Sequence, residues 1–117
     1  MDEKILKWLY DIKAAIEEIE SYFEQYPKDY IKYSSNLILK RAIERDLEII
    51  GEAVNRILKK DGNIAIDNAR KIVGLRNQII HAYDNISDEN IWAVISKYIP
   101  KLYEEVEQLI NANKIEN

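Results

Sequence analysis

Apolar residues recur along the first quarter of the chain at Ile5, Leu9, Ile12, Ile16, Ile19 and Phe23. The steps alternate between four and three residues, which sets them on one narrow stripe of an α-helix. Leu6, Trp8 and Ala15 widen the stripe. Asp2 is placed to cap this helix, and Pro27 to stop it near Gln25, because a proline disfavours helical geometry in the residue before it. A polar connector then runs from Pro27-Lys28-Asp29 to Ser34-Ser35-Asn36, where a second helix can be capped. That helix extends from about Asn36 to Lys60 on Leu37, Leu39, Ile43, Leu47, Ile50, Val54, Ile57 and Leu58. Gly51 lies inside it at a cost of up to about 1 kcal/mol relative to alanine, which predicts close helix packing at that point. Asp61-Gly62-Asn63 predicts a left-handed cap at its end.

A third helix is predicted from about Asp67 to Tyr83 or Asp84, weakened or interrupted at Gly74. Asn85-Ile86-Ser87-Asp88 breaks it, and Ser87 or Asp88 can cap a last helix from about Glu89 to Ala112. The stripe of that helix is Ile91, Trp92, Ile95, Tyr98, Ile99, Leu102, Val106, Leu109 and Ile110, with a kink predicted at Pro100. No strand alternation or internal repeat is visible. The expectation is an all-α, up-and-down bundle of four main helices, five if the third splits, forming one domain over residues 1–117.

Composition removes most catalytic chemistries. The chain has no cysteine, which excludes disulfides, thiolate metal sites and cysteine nucleophiles. Its single histidine, His81, excludes a metal site that needs two histidines from one chain. No charged-then-apolar leader and no uninterrupted apolar run of membrane length is present, so the expectation is a soluble, cytoplasmic protein that does not engage a membrane.

The formal charge of −4 argues against a general polycation. It is unevenly distributed, however. All five arginines, Arg41, Arg45, Arg56, Arg70 and Arg76, fall between positions 41 and 76. From Lys40 to Arg76 nine bases face six acids, a net of +3, and the remaining eight bases and fifteen acids give −7. Arginine binds phosphate through a planar, bidentate fork, so the middle of the chain can carry a phosphate-binding face. Solvated ion pairing with acids such as Glu44 and Glu48 is the alternative for Arg41, Arg45 and Arg56.

The run Gly74-Leu75-Arg76-Asn77-Gln78-Ile79-Ile80-His81-Ala82-Tyr83 concentrates the remaining chemistry. On a helix, Asn77 and His81 are i,i+4 neighbours, and Arg76 lies beside that face. Histidine can take a proton from a ribose 2′-hydroxyl or give one to a leaving oxygen. Arginine can hold the non-bridging oxygens as charge builds on the phosphorus, and Asn77 can orient the imidazole or the phosphate. A histidine near a helix C-terminus can instead serve only as a favourable end charge.

The segment Arg76 to Tyr83 resembles the R-x4-H-x-Y signature of the HEPN superfamily, in particular its HepT-like toxin branch. Arg41-Ala-Ile-Glu-Arg45-Asp-Leu-Glu48-Ile-Ile-Gly51-Glu52-Ala resembles that branch's second-helix signature, and Ile91-Trp92 and Pro100 are similarly placed. The resemblance implies a HEPN-like bundle and a metal-independent RNA endonuclease without cofactor. It also implies the toxin half of a toxin–antitoxin pair whose partner is a minimal nucleotidyltransferase. Arg76 and His81 would be catalytic and Asn77 supporting. Tyr83 would be the position adenylylated by the partner. Glu48 and Glu52 would belong to a helix facing the site, with no role assigned.

One histidine per chain adds a constraint, since attack by the 2′-hydroxyl benefits from both a base and an acid. A two-fold homodimer that brings two copies of His81 into one cleft would supply both. The competing reading is a non-catalytic subunit that binds a nucleotide or presents Tyr83 to a nucleotidyltransferase. A plain helical dimerisation module ranks last because it leaves the motif without a use.

Overall fold

The structure is a computed structural model that describes residues 1–81 and 86–116, with side chains as far as Lys114. Its described residues are helical, with no strand among them. Helix α1 spans Glu3–Gln25, a short α2 Tyr30–Ser34, α3 Leu37–Lys60, α4 Ala69–His81, α5 Asp88–Ala93 and α6 Ile99–Glu116, with a π-helical turn at Val94–Tyr98 joining the last two.

The predicted caps form. Asp2 Oδ1 accepts from the backbone N–H groups of Lys4 (2.7 Å) and Ile5 (3.1 Å), Asn36 Oδ1 from Leu39 (3.0 Å) and Ser87 Oγ from Asn90 (3.0 Å). Each satisfies a donor that the first helical turn would otherwise leave without a partner.

Four expectations need correction. The connector after Pro27 contains α2, capped by Asp29 accepting from the Lys32 N–H at 3.1 Å. Its Tyr33 is fully buried, and Trp92 packs beside it at 5.1 Å between ring centroids. Phe23 meets the same indole edge-on at 5.9 Å, so tertiary aromatic packing stabilises a helix too short to stand alone. Asp61 closes α3 in an extended conformation (φ −144°, ψ 92°), and no described glycine has positive φ, so the left-handed cap does not form. Gly74 does not interrupt α4, which runs through it unbroken. Finally, the irregularity expected at Pro100 falls one turn earlier. The Ile99 N–H donates to the Val94 carbonyl five residues back, and Pro100 then sits in the first turn of α6, where its missing N–H costs nothing.

Long-range contacts set the helix directions. Asp2 at the start of α1 pairs with Lys60 at the end of α3, while Tyr22 near the end of α1 reaches Asp46 in the first half of α3, so the two are antiparallel. The Tyr103 hydroxyl donates to Glu17 at 3.0 Å and joins α6 to α1. Helix α3 packs on both α1 and α4 and is the central element. Its buried stripe of Leu39, Ile43, Leu47, Ile50, Val54 and Ile57 meets Ile5, Leu9, Ile12, Ile16 and Ile19 of α1 in one continuous core with Ile95, Ile99, Leu102 and Val106. Asp46 is buried beside this core, and loss of hydration pushes its carboxyl up to about 6. Its partner, the Tyr22 hydroxyl, lies between the carboxylates of Asp46 (2.8 Å) and Glu18 (2.7 Å) and is itself pushed upward by burial and these two acids.

Among the described residues, no helix is long and apolar enough to cross a membrane.

Candidate functional site

Helix α4 buries Ala69, Ile72, Leu75 and Ile79 against the rest of the bundle. That choice of buried face decides where its polar residues point. Arg70, Gly74, Asn77 and His81, spaced by four, three and four, form an exposed stripe. Arg76 falls between the two faces, next to α3, and is only partly exposed.

The position of Arg76 depends on Gly51. A Cβ built on Gly51 would lie 2.2 Å from Arg76 Cβ and 2.7 Å from its Cγ. Only a glycine lets α4 come this close, which is the packing expected of an interior glycine. The next residue on α3, Glu52, takes the guanidinium: its Oε2 lies 2.5 Å from an Arg76 terminal nitrogen. The contact is an ion pair, and Glu52 Oε2 accepts no aligned hydrogen bond. Arg76 Nε is also buried without a partner. The other terminal nitrogen donates to Asn77 Oδ1 at 2.9 Å. Glu52 is held in turn by Arg56, whose Nε donates to Oε1 at 2.9 Å. The result is a chain of contacts, Arg56–Glu52–Arg76–Asn77, running from α3 across to the exposed stripe of α4.

Arg76 lines a groove of about 420 Å³. One wall is α1 with Lys7, Trp8 and Asp11, the floor is α3 with Arg45, Glu48 and Glu52, and Ile80 closes the side of α4. Ile49 and Ile80 expose 40% and 38% of their surfaces here and give the groove an apolar part. Asn77 lines a neighbouring groove instead, so the Arg76–Asn77 hydrogen bond links the two.

His81 is exposed at the C-terminal end of α4, one turn beyond Asn77 on the same stripe. The structure thus brings Arg76 and Asn77 into direct contact and leaves His81 open to solvent beside them. Tyr83 lies outside the described residues. Of the remaining arginines, Arg41 is bound by both oxygens of Glu44 at 3.0 Å and Arg56 by Glu52, the ion-pair alternative for those two.

Of the two acids that the sequence left without a role, Glu48 and Glu52, it is Glu52 that holds Arg76. Its signals were available: it is adjacent to the interior glycine and four residues before Arg56. Neither said which base of α4 it would meet. Arrangements of this kind can place a cationic fork and an imidazole around one phosphodiester, with the fork held in orientation before substrate arrives.

Known proteins are similar to the chain over most of its length. The profile of the HepT-like ribonuclease family matches residues 12–109, spanning α1 to α6. A candidate RNase of Methanocaldococcus jannaschii is 33% identical over 102 residues, covering 86% of this chain and 91% of its own length. A second from the same organism is 31% identical over 110 residues, covering 91% and 90%. A candidate RNase of Caldanaerobacter subterraneus subsp. tengcongensis is 32% identical over 111 residues, again covering 91% and 90%. No solved structure matches the chain significantly. The chain belongs to the HepT-like ribonuclease family, a branch of the HEPN superfamily.

Proposed function

From its place among the HepT-like ribonucleases, we propose that this chain is an RNA endonuclease in which Arg76 and His81 are the catalytic residues and Asn77 supports them. The 2′-oxygen of a ribose forms a bond to the adjacent phosphorus as His81 takes its proton. Arg76 holds the non-bridging oxygens while charge accumulates on them. The bond from phosphorus to the 5′-oxygen breaks, and a protonated imidazole supplies the leaving oxygen with its proton. The products are a 2′,3′-cyclic phosphate and a 5′-hydroxyl. No metal ion is needed, because general acid–base transfer and a fixed guanidinium cover each step. His81 of a second copy provides the second imidazole, which makes the active form a homodimer.

One observation carries this reading: Arg76 is seated against Gly51 by Glu52 and Asn77, with Asn77 and His81 one turn apart on the open side of the same helix. On the resemblance to HepT-like toxins, the partner is a minimal nucleotidyltransferase antitoxin, and Tyr83 is the residue it adenylylates. An AMP adduct on Tyr83 after copurification is the expected mass-spectrometric sign of that pairing.

The test is RNA cleavage by the free chain in EDTA. Cyclic-phosphate ends are expected, and His81→Ala should lower the rate by about 10²- to 10⁴-fold, the usual worth of a general acid or base, with its helical spectrum unchanged. Cleavage that persists in His81→Ala, or that stops in EDTA and returns with a divalent ion, would contradict the mechanism. A monomer with full activity at micromolar concentration would remove the shared-histidine arrangement.

A further inference from the structure

The exposed stripe of α4 contains two residues that the stability of the helix does not explain. Gly74 lies in the middle of a 13-residue helix, where glycine is disfavoured relative to alanine. Unlike Gly51 it has no packing reason to be there, because a Cβ built on it meets no atom within 4 Å. Arg70 sits in the first turn of the same helix, the end where the backbone dipole disfavours a positive charge, and that turn holds no acid.

Both residues line a second groove, of about 320 Å³, which runs along the C-terminal half of α3. Asn55, Leu58 and Lys59 form its α3 side, and Arg70, Val73, Gly74 and Asn77 its α4 side. Among the described residues neither Lys59 nor Arg70 enters a salt bridge, while Arg41, Arg56 and Arg76 all do. No carboxylate lines the groove. The stripe that begins with Arg70 ends with His81, eleven residues or about 16 Å further along the helix.

We propose that this groove binds the backbone of the RNA a few nucleotides from the scissile phosphate, with Lys59 and Arg70 taking phosphates. Gly74 leaves the α4 side of the groove without a side chain at its middle, so that the strand can approach the helix backbone there. This rests on the ribonuclease reading and adds to it the path by which substrate reaches His81. The placement meets three needs of such a track: two cations outside any salt bridge, polar amides at Asn55 and Asn77, and a stretch of helix left bare of side chain at Gly74. Phosphate contacts position a nucleic acid without reading its sequence, so the groove sets register, and base preference arises elsewhere.

The test separates binding from cleavage. Binding is measured with a mixed-sequence 2′-O-methyl RNA oligonucleotide, which lacks the attacking hydroxyl, and cleavage with the unmodified strand. Each phosphate contact on a single strand contributes about −0.7 to the slope of log affinity against log salt. Lys59→Gln and Arg70→Gln are therefore each expected to flatten the slope by about 0.7, and the double variant by about 1.4. Lys114→Gln, which removes the same charge from α6, is expected to leave the slope as in the native chain. Gly74→Leu should weaken binding and raise KM with little change in kcat, a split that a structural defect would not produce. Slopes and affinities unchanged in all four groove variants would overturn the proposal. So would unchanged RNA binding accompanied by loss of self-association in sedimentation, which would make the groove a protein interface. If the groove variants behave as expected but native protein cuts no RNA, the track stands and the ribonuclease mechanism falls. Cleavage with no effect of the groove variants gives the converse.

Discussion

Two glycines on facing helices show how differently the same residue can be used. Gly51 on α3 is a packing glycine: α4 lies so close that a methyl group would overlap the Cβ of Arg76. Gly74 on α4 is an open glycine, with empty space where its side chain would be. The first places Arg76, the proposed catalytic cation, since every atom of its side chain beyond Cβ starts from that contact. The second places nothing within the protein and leaves room for something outside it. In one case the absence of a side chain is a requirement of the fold, in the other a cost to it.

Substitution by alanine at the two positions is the most direct way to break that contrast, and the larger effect belongs to Gly51. Gly51→Ala forces the α3–α4 contact apart and is expected to destabilise the fold by about 1–3 kcal/mol, the usual penalty for overpacking, measured by chemical denaturation. Cleavage should fall further than the stability loss explains, because the Arg76 guanidinium moves with its helix. Native stability and activity in the Gly51→Ala variant would mean that α4 can retreat without consequence.

Glu52→Gln sharpens the comparison at intermediate size. Glu52 is about a third exposed, and solvent screening limits its ion pair with Arg76 to about 1 kcal/mol or less of stability. Its effect on orientation is larger, since a displacement near 1 Å at a reacting centre can cost about 10²-fold. The expected outcome is a fall in kcat of about 10- to 100-fold with KM within a few-fold. An increase in RNA affinity with kcat unchanged would show instead that Glu52 competes with the substrate phosphate for Arg76.

The smallest effect, of opposite sign, belongs to the open glycine. Gly74→Ala is expected to stabilise the fold by up to about 1 kcal/mol, because it removes a helix-disfavouring residue and meets no neighbour. A loss of stability in the same denaturation experiment would mean that Gly74 has a packing role like that of Gly51.

Much of the molecule was legible in the chain. Periodicity at Ile5 to Phe23 and Leu37 to Leu58 located α1 and α3, and Asp2, Asn36 and Ser87 were recognisable as caps because capping is a local interaction between a side chain and the next few N–H groups. The four-residue spacing from Asn77 to His81 was enough to put the two on one face. What local pattern could not reveal was α2. Its five residues carry no periodic stripe, and they are helical because Tyr33 is buried against Trp92, which lies 59 positions further along the chain.

The sequence alone settled the helical class, the boundaries of α1 and α3 and the short inventory of usable chemistry: one histidine, five clustered arginines and no cysteine. These follow from period and composition, which act over a few residues or none. The tertiary structure decided which acid holds Arg76, which glycine is a contact and which is a gap, and which cations are left without carboxylates. Each of those depends on α3 and α4 lying antiparallel at one particular register. That register brings Gly51 against Arg76, a contact between residues 25 positions apart that no local pattern encodes.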